Sequence, residues 1–242
     1  MTKTNTIIIT GSSGEVGASL VEILKKDYFI IGIDKLSKSN SNVHLKYDIN
    51  EIVNNSKIKN KFIADINYLK KKKSILCLIN NAAFQSVKKF ENLDIELLKK
   101  SLNINSIFPF FLSRLLFKDL CQNKGKIINI GSIHAKMTKK NFFSYSISKS
   151  ALKGVSNSLT IESDGKISTL TINPGAINTN MLRKGIKNID LKKIKKNNPS
   201  GHILDPEELA SLVKSLIALD SKYLNGMNLN FDGGISKLLK DI

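Results

Sequence analysis

The chain has 242 residues, 41% of them hydrophobic, which suits one globular domain with a large core. No apolar run is long enough to span a bilayer, the opening Thr6-Ile7-Ile8-Ile9 is too short for a signal-peptide core, and Cys77 and Cys121 are lone residues in apolar settings, with no disulfide framework or metal site. The net charge of +18 is spread as Lys along an Asn-rich chain, which reads as compositional bias, so a cytoplasmic protein without nucleic-acid, membrane or metal partners is expected.

Thr6-Ile7-Ile8-Ile9-Thr10 is a β-branched run and reads as the first strand. It enters the turn Gly11-Ser12-Ser13-Gly14-Glu15-Val16-Gly17, and a helical pattern follows with Val16, Leu20, Ile23 and Leu24 on one face. Strand, glycine turn and helix form the context of a dinucleotide phosphate site. Glycines let the backbone approach the pyrophosphate, and helix N–H groups receive its charge. Phe29 to Ile33 reads as the second strand, ending at Asp34. A carboxylate about 20 residues past the turn accepts from both ribose hydroxyls and repels a 2′-phosphate. Asp34 therefore points to NAD, with NADP less favoured; Lys35 beside it is the cation that would tolerate a phosphate.

Val43 to Tyr47 reads as a third strand ending at Asp48-Ile49, and residues 50–73 as polar with helical apolar spacing at Phe62, Ile66 and Leu69. Ser74 to Ile79 is near-continuously apolar, as a buried parallel strand should be, and ends at Asn80-Asn81-Ala82-Ala83. A helix with Leu93, Leu97, Leu98 and Leu102 runs on to Asn105 and Phe108. Gly125 to Ser132 reads as a strand with Ser132 at its end. In the helix that follows, Tyr145 and Lys149 share one face at i, i+4. A cation one turn from the phenol is expected to lower its pKa toward working pH, as alcohol–carbonyl interconversion requires.

Ile167 to Ile172 reads as a strand entering Asn173-Pro174-Gly175. Residues 180–204 are Lys/Asn-rich with weak periodicity, a candidate mobile substrate loop. Asp205 as N-cap and Pro206 at the first helical position open another helix. Met227 to Phe231 is a last strand before Asp232-Gly233-Gly234. Alternating strands and helices without repeat or linker predict one doubly wound α/β domain over 1–242, a parallel sheet with helices on both faces.

These residues together resemble the short-chain dehydrogenase/reductase family, in its compact single-domain branch, from Thr10 to Gly234. The resemblance implies a Rossmann fold of about seven strands, an NAD(P)-dependent oxidoreductase, and a homodimer or homotetramer. Gly11, Ser13, Gly14, Val16 and Gly17 resemble the cofactor turn, and Asp48-Ile49 the pair that contacts adenine. Asn81, Ala82 and Ala83 resemble the segment closing the fourth strand over the cofactor. Pro174, Gly175, Ile177 and Thr179 resemble the loop that binds the nicotinamide carboxamide. By the same resemblance Tyr145 is the acid/base, and Lys149 lowers its pKa and holds the nicotinamide ribose. Ser132 hydrogen-bonds the substrate oxygen, and Asn105 holds a water linking Lys149 to solvent. His134 is expected at the rim.

Three positions depart from the branch. Glu15 replaces a glycine, and an acid beside a pyrophosphate costs Coulomb energy unless it points away. The glycine spacing matches the nucleotide-sugar-modifying branch instead. Ala83 replaces a glycine, and Leu170 stands where an Asn is common, so a structural hydrogen bond is expected to be missing. The spacing and the polar 180–204 segment favour a small polar substrate, a sugar or nucleotide-sugar. The alternative is a 3-oxoacyl thioester on an acidic acyl carrier protein. A reading of another class, a non-catalytic NAD-binding scaffold or sensor, is opposed by the presence of Tyr145 and Lys149.

Overall fold

The computed structural model describes residues 5–185 and 191–238. Seven parallel strands form one sheet in the order β3-β2-β1-β4-β5-β6-β7: β1 Asn5–Thr10, β2 Phe29–Asp34, β3 Val43–Lys46, β4 Ser74–Asn80, β5 Lys126–Ile130, β6 Ser168–Pro174 and β7 Asn228–Phe231. Consecutive parallel strands need crossovers; helical segments supply all of them except β2 to β3, which residues 35–42 join without a helix. The order reverses between β1 and β4, which opens a crevice at their C-terminal ends.

Period-two alternation divides the core between the two faces. Ile7 and Ile9 of β1 pack with Leu20, Val21 and Leu24 of α1 (Glu15–Leu24) and with Leu209 and Val213 of the helix Pro206–Ala218. Ile8, between them, faces the opposite layer with Phe62, Phe108, Leu112 and Leu116.

The polar stretch after Asp48 is two helices, α2 (Ile49–Asn54) and α3 (Ser56–Lys72). Asn55 breaks them: its backbone is extended (φ −117°, ψ 114°), and its side chain accepts from Lys57 N and Ile58 N. The next helical run is interrupted as well. α4 (Ile95–Leu102) passes through a π-helical turn, Asn103–Ile107, into α5 (Phe108–Gln122). α6 (Phe143–Glu162) carries Tyr145 and Lys149. The 180–204 segment contains two short helices, α7 (Asn180–Gly185) and α8 (Leu191–Lys196), where the sequence reads as loop; residues 186–190 of that expectation lie outside the described residues. α9 (Pro206–Ala218) opens with the expected Asp205 cap, completed as a capping box by Glu208.

Leu170 is fully buried in the core. The polar tie at this level comes instead from Asn173, whose Oδ1 accepts from Ser132 N at 3.3 Å.

Candidate active site

At the switch point the β1 and β4 ends are locked together. Thr10 Oγ1 accepts from Asn81 N and Ala82 N, each at 3.0 Å, and Asn81 Nδ2 donates to Thr10 O and Gly11 O, each at 3.1 Å. Gly11 adopts φ +69°, and a Cβ there would meet Ala82 Cα at 2.8 Å. A Cβ on Gly17 would fall 1.9 Å from Gly11 O. The turn thus brings β1, β4 and the start of α1 closer than any side chain allows.

A cleft of about 700 Å³ opens over this turn. Of the sequence-predicted site residues, all but Ser13 and Asn105 line it. Ser13 lies just behind, its N–H donating to Asp34 Oδ2 at 3.0 Å. Asp34 is nearly buried; its Oδ1 accepts from Leu36 N at 2.9 Å, so the carboxylate is held at the end of β2. Asp48 Oδ1 accepts from Asn50 N at 2.8 Å, capping α2, and the residue lines the cleft.

The residues fit a dinucleotide. The glycine turn presents the N-terminus of α1 to the cleft, and Gly11, Gly14 and Gly17 line it without a side chain to bar a phosphate. Glu15 does point away from that N-terminus. Its Oε2 accepts from Asn180 N at 2.7 Å, and its Oε1 pairs with Arg183 Nη2 at 3.1 Å.

At the cleft's other end stand Ser132, Tyr145 and Lys149. Lys149 is buried and donates to Ile130 O at 2.7 Å. Its ammonium lies 5.8 Å from the Tyr145 ring centroid. Burial pushes the Tyr145 phenol up to about 12, a hydrogen bond from Ser132 opposing it, and pushes Lys149 down to about 8. The expected lowering of Tyr145 by Lys149 is therefore not found: burial of the phenol raises its pKa instead.

Asn105 sits behind the cleft in the π-helical turn. Its Oδ1 accepts from Phe84 N at 2.7 Å, and its Nδ2 donates to Phe84 O and Ser148 Oγ, both at 2.8 Å. With both amide N–H groups used, the side chain acts as a clamp. His134, expected at the rim, lines the cleft. Its ring stacks on Phe142 at 4.7 Å and meets Tyr145 edge-on at 5.6 Å. Burial, then Lys139, lowers its pKa to about 4. Sequence reading missed Gln85, Lys100, Met137 and Lys139, which also line the cleft and carry no spacing signal.

Among described residues, no helix is long and apolar enough to cross a membrane. His202, Asp205 and Glu208 cluster, but their contacts are those of the α9 capping box and a His202–Glu208 hydrogen bond.

A family model described as enoyl-(acyl carrier protein) reductase matches residues 43–236. The chain is similar to a protein named 3-oxoacyl-[acyl-carrier-protein] reductase FabG from Buchnera aphidicola subsp. Acyrthosiphon pisum, 30% identical over 95% of this chain and 96% of that one. A FabG from Rickettsia conorii is 29% identical over 95% and 96%. Among solved structures, a 4-hydroxyisoleucine dehydrogenase mutant complexed with NADH and succinate superposes with TM-score 0.86 at 25% identity, covering 97% of this chain and all of that one. Thermoplasma acidophilum aldohexose dehydrogenase, at 22% identity, shares the fold with TM-score 0.88 over 99% and 97%.

Proposed function

This chain belongs to the short-chain dehydrogenase/reductase family, and from that premise we propose that it reduces 3-oxoacyl thioesters with NADH. That it is an NAD(P)-dependent oxidoreductase follows from the family. The observation that carries the substrate reading is the cleft wall beyond Tyr145. It is formed by Ile133, Met137, Phe142, Met181, Leu182 and Ile194, an apolar surface suited to an acyl chain. Polar side chains such as Gln85, Thr138 and Asn197 line the same cleft; the apolar wall favours the thioester over a sugar without excluding polar contacts. The names of the FabG relatives support the same choice. Lys100 and Lys139, each over an aromatic ring of the cleft (Phe84 and Phe142), give its substrate end positive charge for an acidic carrier or its phosphate.

Asp34 supports NADH. A 2′-phosphate would meet a carboxylate fixed by two backbone N–H groups. Asp48, Ile49, Ala82 and Ala83 would hold the adenine half, and Pro174 to Thr179 the nicotinamide carboxamide. Bound, the cofactor would supply the hydride. The rest falls to the chain. Tyr145 donates its proton to the carbonyl oxygen, and burial keeps the phenol protonated until that oxygen becomes basic. Ser132 donates a hydrogen bond to the same oxygen. Lys149, cationic at neutral pH despite its burial, stabilises the tyrosinate left behind. Asn105 positions Ser148 and the Phe84 backbone beneath them. Exposed Ile107 at the end of the π-helical turn, Phe110 on α5, and Phe143 and Ile147 on α6 would be the contact faces of a homo-oligomer.

The test follows the loss of NADH absorbance with acetoacetyl-coenzyme A, against an aldohexose with NAD. Turnover of the thioester alone is expected. Oxidation of the sugar with no thioester turnover would sink the reading.

A further inference from the structure

Glu15 puts an acid in the glycine turn, where a carboxylate is costly beside a pyrophosphate, and the structure shows what it does there. It reaches out of the turn to α7, 165 residues further along the chain, where it meets Asn180 N and the Arg183 guanidinium. Arg183 uses all three nitrogens. Nη2 goes to Glu15, Nη1 to Asn178 Oδ1 at 3.0 Å, and Nε to Asn180 Oδ1 at 3.3 Å. Asn178 in turn donates to Asp205 Oδ1 at 3.1 Å, at the start of α9. A guanidinium fork can hold three acceptors at once, which an ammonium cannot do in a plane. The choice of residue is telling, because Arg114 and Arg183 are the chain's two arginines among 38 Lys and Arg residues. Compositional bias supplies Lys nearly everywhere else.

We infer that Glu15 and Arg183 form a latch that fixes α7 against the cofactor turn, with both acting as positioning residues. α7 brings Met181 and Leu182 into the cleft wall, so the latch sets the shape of the substrate end from the cofactor end. Arg183 also neutralises a carboxylate that would otherwise stand unpaired at the N-terminus of α1, where the pyrophosphate is to bind. The inference rests on reading the cleft as a dinucleotide site, but its first readout does not.

The test compares wild type, Glu15→Gln, Arg183→Gln and the double variant. Limited digestion with a lysine-specific protease reports the exposed Lys184 of α7, with Lys61 of α3 as an internal control. Calorimetric titration with NADH reports the turn. Arg183→Gln is expected to speed cleavage after Lys184 about fivefold, the upper range for an exposed ion pair, and to weaken NADH by a similar factor. Lys61 cleavage stays unchanged. Glu15→Gln speeds cleavage without weakening NADH. The double variant is no faster than the quicker single variant and recovers wild-type NADH affinity. Unchanged Lys184 cleavage in Arg183→Gln, or NADH affinity in the double variant as weak as in Arg183→Gln, would overturn the latch. If wild type itself fails to bind NADH, the dinucleotide reading falls, while the cleavage rates still decide the latch.

Discussion

Asn105 clamps the backbone of Phe84, accepting from its N–H at 2.7 Å and donating to its C=O at 2.8 Å. This pairing ties the π-helical turn between α4 and α5 to the segment that leaves β4 and lines the cleft. Asn105→Ala leaves two backbone groups and Ser148 Oγ short of a partner in a buried setting. A loss of about 2–3 kcal/mol is expected, visible in denaturant titration with an unchanged m-value. Stability equal to wild type would mean that Phe84 finds its partners elsewhere.

Tyr145→Phe removes the hydroxyl proposed to donate the proton and little else. Turnover of acetoacetyl-coenzyme A should fall by about 10²–10⁴. NADH affinity by calorimetry should change by less than about twofold, because the phenol lies at the substrate end. A variant retaining most of its turnover would move the acid/base role to another group.

Lys149 is a buried ammonium whose pKa falls from 10.5 to about 8 through desolvation. The folded state disfavours its charge, so the cost is full below pH 8 and vanishes above 10.5. Lys149→Met should therefore abolish turnover yet raise Tm at pH 7 by about 5 °C. The gain should close as pH rises from 8 toward 10.5. Melting curves across that range check the sign, and a drop in Tm at pH 7 would contradict it.

His134 behaves the opposite way to a histidine that gains an acidic partner. Burial lowers its pKa from 6.5 to about 4, so the stability carried by the neutral ring is intact above 6.5 and lost as pH falls toward 4. His134→Gln should flatten the acid side of the Tm-against-pH curve between those values. The catalytic pH profile near neutrality should show no ionisation that His134→Gln removes.

Asp34→Ala tests cofactor choice. Wild type should prefer NADH over NADPH, and removing the fixed carboxylate should narrow that preference by at least about tenfold, chiefly by tightening NADPH. Wild-type preference for NADPH would instead place Lys35, which lines the same cleft, as the phosphate's partner.

The sheet and the strand–glycine turn–helix at its start were legible because their signals are local. Ile7 to Ile9, Ile75 to Ile79 and Ile127 to Ile130 are apolar runs ending in a Gly or Asn turn, and each is a strand in the structure. The helices of the 180–204 segment were not, because each is only six residues long and Leu191–Lys196 carries just Leu191 and Ile194 among four Lys, too short a stripe to read. The spacing of Tyr145 and Lys149 revealed their shared face but not their depth, and depth sets both pKa values. Likewise no pattern around Asn105 announces a π-helical turn, whose benefit is a contact with Phe84 made 21 residues away. Glu15 could be recognised as out of place, while its partner, Arg183, stood 168 residues along the chain.

That separation bears on how this protein can be recombined with its relatives. In chain order, the cofactor half and the segment shaping the substrate end look like independent cassettes, exchangeable at any loop between them. The Glu15–Arg183 pair makes them a single unit of inheritance. A chimera that imports a glycine at 15 orphans the arginine, and one that imports a foreign 176–204 segment strands a carboxylate beside the phosphates. Viable crossovers must carry both positions from one parent.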